Sequence, residues 1–349
     1  MSTHFYLPKP CDSMPIHNLF YFRFQPVDLK TNVFNEPPFE NFFETVSLVN
    51  EVETADAIIL PNNFASLDDD ARTYIRTYAD MGERFRIPVY LLSFSDYSYR
   101  LVFDSRVRVF RMSSYKSLMR DTDIIVPTTA RRFEEIPFVP RKKQELPMVS
   151  FCGYAGFKTA RQWVTYGARN LWWEVRALCI PHYRARKVGI YWRRASMRAL
   201  AGSGRIRTNF IVRRSFSGAV RTIELSPAEA RAEFIDSIVN SDFVLAPKGD
   251  GNYSNRFLEA LSLGRIPVLI DTDVPLPCEN VIPYEKIMVR VPMQEVHKTA
   301  EYVSRFYDAL SEPEWVERQA LARTMFRDYL EQKQFFQNYF ATHPTTVRP

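Results

Sequence analysis

Apolar residues fall into two kinds of pattern along the chain. Short, largely apolar runs at 55–60 (ADAIIL), 87–92 (IPVYLL), 107–110, 123–126, 148–152, 243–246 and 266–270 are bounded by polar or turn residues. Runs of this length predict strands buried on both faces, as in a parallel sheet. Between the first two, Ala71, Tyr74, Ile75, Tyr78 and Ala79 recur at helical spacing, so a helix is predicted over 68–85. Asp68, Asp69 and Asp70 suit its positive end. Residues 158–200 carry a mostly helical pattern interrupted at Pro181. Ser226, Pro227 and Glu229 form a capping box with proline in the first turn, which predicts a helix to about 240. Two further helices are predicted near 294–311 and 313–330. Strands alternating with helices indicate parallel sheets joined by crossovers, and 349 residues suffice for two such cores. Residues 136–147, with three prolines and three consecutive basic residues, suit a linker. The expected domains are therefore 1–146 and 147–330, with 331–349 as a C-terminal helix and tail.

The segment 241–283 carries the most chemistry. A strand at 243–246 leads into a loop holding Lys248, Gly249, Gly251, Asn252 and Ser254. A helix follows, and a strand at 266–270 closes a βαβ unit. Ligands bind such units at the carboxyl ends of the strands, where a helix amino terminus favours phosphate. Arg256 and Glu259 are three apart, so both project from one face near the helix start. Arg256 offers a planar cation for a diphosphate, and Glu259 an acceptor for two ribose hydroxyls. An ordinary helix-surface ion pair is the alternative.

The stretch PKGDGNYSNRFLEALSLGRIPVLIDTDVPLP resembles the donor-binding segment of the exostosin family of glycosyltransferases. SFSD at 93–96, VFRMSSY at 109–115, VSFCGYAG at 149–156 and NFIVRRSFSG at 209–218 follow the order of bacterial exostosin-like proteins. The resemblance spans roughly 55–285. It implies a GT-B type architecture, two Rossmann-like domains facing across a cleft, with a nucleotide-sugar donor in the second. It also implies inverting transfer, a UDP sugar as donor, and a glycan or lipid-linked saccharide as acceptor in polysaccharide biosynthesis. By analogy with two-domain transferases, the last segment returns to the first domain. A catalytically inert nucleotide- or glycan-binding module of the same fold is the alternative.

Such a reaction needs charge on the leaving diphosphate to be met and the acceptor hydroxyl to lose a proton. Arg256, Lys248, Arg213 and Arg214 are candidates for the first. Asp96, just past the run at 87–92, is the candidate base, with a turn or helix cap as its alternative. Gly153 and Gly156 would allow close backbone approach to a donor phosphate, or simply make a tight turn. Asp271-Thr272-Asp273 is a DxD that would hold a divalent ion in single-domain transferases, yet it lies where the resemblance assigns no metal. No metal or cofactor is expected. The loop at 249–254 half-matches a dinucleotide fingerprint but lacks its third glycine, and Lys248 precedes the loop, against a Walker pattern.

Composition and charge narrow the compartment. No run approaches a membrane span, and MSTHFYLPKPCDSMP lacks the basic start and apolar core of a secretory signal. Cys11, Cys152, Cys179 and Cys278 are widely spaced, which suits free thiols in a reducing compartment. A cytoplasmic protein is expected, peripheral on the inner face of the membrane. Net charge is +6, and twelve of the 46 Lys and Arg lie in the acid-free segment 175–223, so the rest of the chain is net negative. That block fits a solvated face, a nucleic-acid surface or an anionic membrane surface with Trp172, Trp173 and Trp192 at the interface. The donor-like segment disfavours nucleic acid, so the membrane is expected, and reversing Arg184, Arg186 and Arg193 is expected to spare turnover.

Overall fold

A computed structural model describes residues 3–20, 46–98, 101, 103, 106–128, 133, 136–157, 159–213 and 225–343. Arg214 lies outside the described residues. The chain forms two compact units.

The first unit comprises Met1–Pro127, Pro275–Pro277 and Glu331–Pro349. Its strands are β1 (Thr3–Tyr6), β2 (Val46–Val49), β3 (Ala57–Asn63), β4 (Val89–Ser93), β5 (Val107–Arg111) and β6 (Asp123–Ile125). All pair in parallel, in the order β2-β1-β3-β4-β5-β6. Helix α1 (Asp69–Phe85) starts where the Asp68 carboxylate accepts the Ala71 N–H at 2.7 Å. It buries Ala71, Ile75 and Gly82, and a methyl at Gly82 would lie 2.6 Å from Val89 Cγ2. The helix therefore sits on β4 closer than any side chain there would allow. The C-terminal helix Gln332–Thr342 belongs to this unit. Its Phe340 packs edge-on against Phe5, ring centroids 4.9 Å apart, and Phe336 against Phe110 at 5.2 Å.

The second unit comprises Thr128–Val274 and Cys278–Leu330. Its strands are β7 (Met148–Tyr154), β8 (Arg207–Arg213), β9 (Phe243–Leu245), β10 (Ile266–Asp271) and β11 (Val289–Pro292). They too are parallel, in the order β11-β10-β9-β7-β8. Its longer helices are α2 (Ala160–Cys179), α3 (Gly189–Ala201), α4 (Pro227–Val239), α5 (Asn255–Ser262), α6 (Thr299–Asp308) and α7 (Glu312–Met325). The capping box at Ser226 and Glu229 opens α4 as predicted. The fully buried Asp242 carboxylate accepts from Met148 N at 2.8 Å and Arg141 Nε at 3.0 Å. Residues 136–147, whose composition suits a linker, lie on this unit, with Gln144 N donating to the Tyr307 hydroxyl at 2.6 Å.

Four strands escape the apolar pattern. β1 (THFY), β2 (VSLV) and β11 (VRVP) mix apolar with polar residues or proline and are only partly buried, so they lack a continuous apolar run. β8 is an edge strand whose ends are arginines and whose Val212 is exposed. The helix predicted from 294 begins at Thr299, because Glu295 is non-helical with φ −107°. Trp192 is 1% exposed and so cannot seat at a membrane interface.

In each sheet the second strand pairs on one side of the first and the third on the other. The chain thus reverses direction at β1/β3 and at β7/β9, the switch points where doubly wound sheets bind ligands. Replacing Phe340 with alanine should lower the stability of the first unit by about 3–5 kcal/mol, the usual cost of deleting a buried aromatic. Urea denaturation followed by circular dichroism would read the loss.

Candidate functional site

The second sheet places its switch point at the carboxyl ends of β7 and β9. Gly153, next to last in β7, has φ +147°, and a Cβ there would lie 2.0 Å from Arg256 Nη2. Only glycine leaves room for Arg256, in the first turn of α5, to cross the strand end. Arg256 Nε donates to Cys152 O at 3.0 Å, and its guanidinium lies over the Phe151 ring at 4.7 Å.

Two more arginines converge on this spot. Arg213 closes β8, with Nη2 2.6 Å from Glu233 Oε2 of α4 and 3.7 Å from Cys152 Sγ. Arg193 of α3 donates through Nη1 to Tyr154 O at 2.7 Å, with Nη2 at 3.5 Å from Lys248 O. Its neighbour Arg194 reaches Ala155 O at 3.3 Å. Burial holds Arg256 below the usual guanidinium range, with Arg213 adding to the effect and Glu259 opposing it. Burial and the nearby Arg256 bring Arg193 down to about 10, with Asp250 opposing. Burial pushes the Cys152 thiol up, while Arg213 and Arg256 pull it back. Arg256 is thus repelled by Arg193 on one side and by Arg213 on the other, which gathers positive charge at the end of β7.

The loop after β9 is built from its own contacts. Gly249 N donates to Tyr253 O at 2.9 Å, closing a turn. Lys248 is buried, and its Nζ donates to Ala185 O at 2.8 Å. Burial, reinforced by Arg169 and Arg186, lowers its ammonium to about 7. Gly189 at the start of α3 presses on the same loop, since a Cβ there would lie 2.3 Å from Gly249 O. Gly251 is buried within the loop. Ser254, the residue before α5, has a buried hydroxyl with no hydrogen-bond partner among the described residues. It stands beside the free N–H groups of the helix.

The other expected residues are placed differently. Asn252 is buried, donates to Thr272 O at 3.1 Å and accepts from Thr272 Oγ1 at 2.7 Å. It fixes the turn after β10. In that turn Asp271 accepts the Val274 N–H at 3.2 Å and faces Arg290 at 3.8 Å, while Asp273 has φ +61°. The Gly156 N–H is taken by Arg213 O at 3.2 Å. Asp96 lies in the first unit, exposed and three residues past β4. The loop before it is clamped by Asn63, which donates to Phe94 O at 2.9 Å and accepts from Phe94 N at 2.8 Å.

Arg193, Arg194, Glu233, Cys152 and Gly189 were not singled out from the sequence as site residues. Arg193 lies in the acid-free segment, but charge alone does not say that α3 folds back onto the end of β7. Its position corrects the expectation that reversing Arg193 spares turnover, since a carboxylate there would face the carbonyls of Tyr154 and Lys248.

Substituting Gly153 with alanine should expel Arg256 from the strand end. Nucleoside diphosphate affinity, measured by calorimetry, should fall by about tenfold or more, as for loss of a charge-assisted hydrogen bond. The far-UV circular dichroism spectrum should be unchanged.

Comparison with known proteins adds a family to this geometry. A probable glucuronosyltransferase of Oryza sativa subsp. japonica is 38% identical over 65 residues, 19% of this chain and 16% of that protein. Probable glucuronosyltransferase 47 A of Physcomitrium patens is 37% identical over 68 residues, 20% of this chain and 15% of that one. The match thus spans about a sixth of the length of these curated relatives. Among solved structures, the glycotransferase of kitacinnamycin is similar over 98% of this chain and 99% of its own, at 10% identity and a TM-score of 0.36. An alpha-glucosyltransferase in complex with UDP-glucose and DNA containing an abasic site covers the same shares at 10% identity and a TM-score of 0.37. Scores this low add nothing to the architecture already described. The Exostosin GT47 domain, by contrast, matches residues 39–306, which include the glycine at 153, the arginines around it and the helix that carries Arg256. That match covers most of the chain, and the protein belongs to the exostosin GT47 family.

Proposed function

We propose that the chain is an inverting glycosyltransferase that moves a sugar from a nucleotide diphosphate donor, a UDP sugar, to a hydroxyl of a glycan or lipid-linked saccharide in polysaccharide biosynthesis. The observation that carries this proposal is the convergence of Arg256, Arg213 and Arg193 at the β7/β9 switch point, beside the amino terminus of α5. Family membership supports it, as do the probable glucuronosyltransferases among the relatives.

In this mechanism the donor diphosphate replaces the repulsion among the guanidiniums with attraction. Arg256 acts mainly as the sugar bond breaks, because charge on the leaving diphosphate grows towards the transition state. The Ser254 hydroxyl and the first N–H groups of α5 donate to the same phosphates. Glu259, one turn further along α5, accepts the ribose hydroxyls. Asn252, Gly249 and Gly251 shape the loop, and Gly153 makes room for Arg256. Asp96 takes the acceptor proton. Protein cations meet the donor charge, so the reaction requires no metal.

Incubation with a panel of nucleotide sugars should release nucleoside diphosphate from one of them in the presence of a glycan acceptor. Binding without release across donors and acceptors would make the chain an inert nucleotide-binding module instead. Arg256→Ala should lower kcat more than donor affinity, whereas Glu259→Ala should weaken binding by about 1.5–3 kcal/mol. Equal losses of binding and rate in both would contradict this division. Activity should survive exhaustive chelation; loss restored by manganese would make Asp271 and Asp273 ligands.

Lys248 gives a pH signature. Its ammonium, brought down to about 7, attracts the diphosphate only while protonated. Donor affinity should therefore fall as pH rises through 7, with proton uptake on binding above it. Calorimetry in buffers of different ionisation enthalpy would measure that uptake, and Lys248→Met should abolish it.

A further inference from the structure

Helix α2 is built inside out. The positions that face the unit are largely polar: Asn170 Oδ1 accepts the Val188 N–H at 3.1 Å, and Glu174 pairs with Arg184 at 2.6 Å and with Lys187. Tyr166 rests on Phe157, ring centroids 5.5 Å apart. Among the described residues of the helix only Ala177 is buried. The opposite face carries Val164 and, two turns on, Leu171, Trp172, Val175 and Leu178, exposed by 49–78%. An apolar stripe of this length on a water-facing helix marks a contact surface.

The charges choose its partner. Arg161, Arg169 and Arg176 are exposed on this helix, and Arg176 lies over the Trp172 ring at 4.7 Å. The one acid of α2, Glu174, is spent on Arg184 and Lys187 on the other side. A second copy of the helix would bring arginine against arginine with no acid to relieve it. An anionic lipid surface satisfies both features, since it takes the apolar side chains and the arginines together. With twenty residues, α2 is about 30 Å long. No helix among the described residues is long and apolar enough to cross a membrane, so α2 would lie flat.

We propose that the outer face of α2 seats the protein in the surface of an anionic bilayer, with Leu171, Trp172 and Val175 inserted and the arginines at the headgroups. The seat thus lies largely ahead of the segment 175–223, part of which is interior. This inference is independent of the donor chemistry, because vesicle binding and nucleotide release are read separately.

The test uses the full chain with phosphatidylcholine vesicles, with and without phosphatidylglycerol. The wild type should sediment with the anionic vesicles about tenfold or more better than with the neutral ones. Part of that binding should resist high salt, because apolar insertion is not screened. Brominated lipid should quench tryptophan fluorescence, and Trp172→Phe should remove most of the quenching. Leu171→Ser with Val175→Ser should lower vesicle affinity by about tenfold or more. That variant should keep its circular dichroism and its nucleoside diphosphate affinity. The proposal is overturned if the folded wild type ignores anionic vesicles, or if the double variant binds them as well as the wild type. It is equally overturned if the wild type is a dimer that the double variant makes monomeric, which would assign the face to a second copy.

Discussion

Arg256 occupies the space where a side chain at position 153 would be, and the end of β7 in the second sheet is arranged around that fact. The guanidinium is held from three directions: by the Cys152 carbonyl at 3.0 Å, by the face of Phe151 and by the charge of Glu259. Each contact restricts it to one geometry. A planar cation fixed in this way has little freedom left to lose on meeting an anion, which is what preorganised charge requires.

Holding like charges together carries a cost, which the structure offsets locally. Glu233 takes Arg213, Glu259 supports Arg256 and Asp250 supports Arg193. Carbonyls of Cys152, Tyr154 and Ala155 accept from three of the arginines, so the end of β7 acts as a ladder of acceptors. β7 pairs with β9 only at Val149 and Ser150 but with β8 as far as Tyr154, so its last residues run on past β9, and it is there that the arginines reach its carbonyls.

Much of this was legible in the sequence, for reasons that also explain the gaps. Buried parallel strands are apolar runs, so β3, β4, β7, β9 and β10 announce themselves, whereas β1, β2 and β11 are only partly buried and carry polar residues or proline within them. The exostosin resemblance, drawn from segments in order, is upheld over residues 39–306. Arg256 and Gly153 could be named separately, but their contact is non-local and carries no sequence signal. The fold gives Asn252 and Gly156 contacts that spacing does not reveal, with the turn after β10 and with the Arg213 carbonyl. The acid-free segment is the clearest case. Its composition describes one surface, yet Arg193 and Trp192 turn inward from the same helix that was expected to face outward.

Gly189 has a consequence of its own. With a methyl there 2.3 Å from the Gly249 carbonyl, α3 and the loop after β9 are in backbone contact with no side chain between them to deform. Lys248 reaching Ala185 and Arg193 reaching Lys248 rivet the same two pieces. The stretch from Ala185 to Arg193 is thus joined directly to the loop. A shift of α3 towards that loop must therefore move the loop backbone itself, because no side chain lies at the Gly189 contact to rearrange.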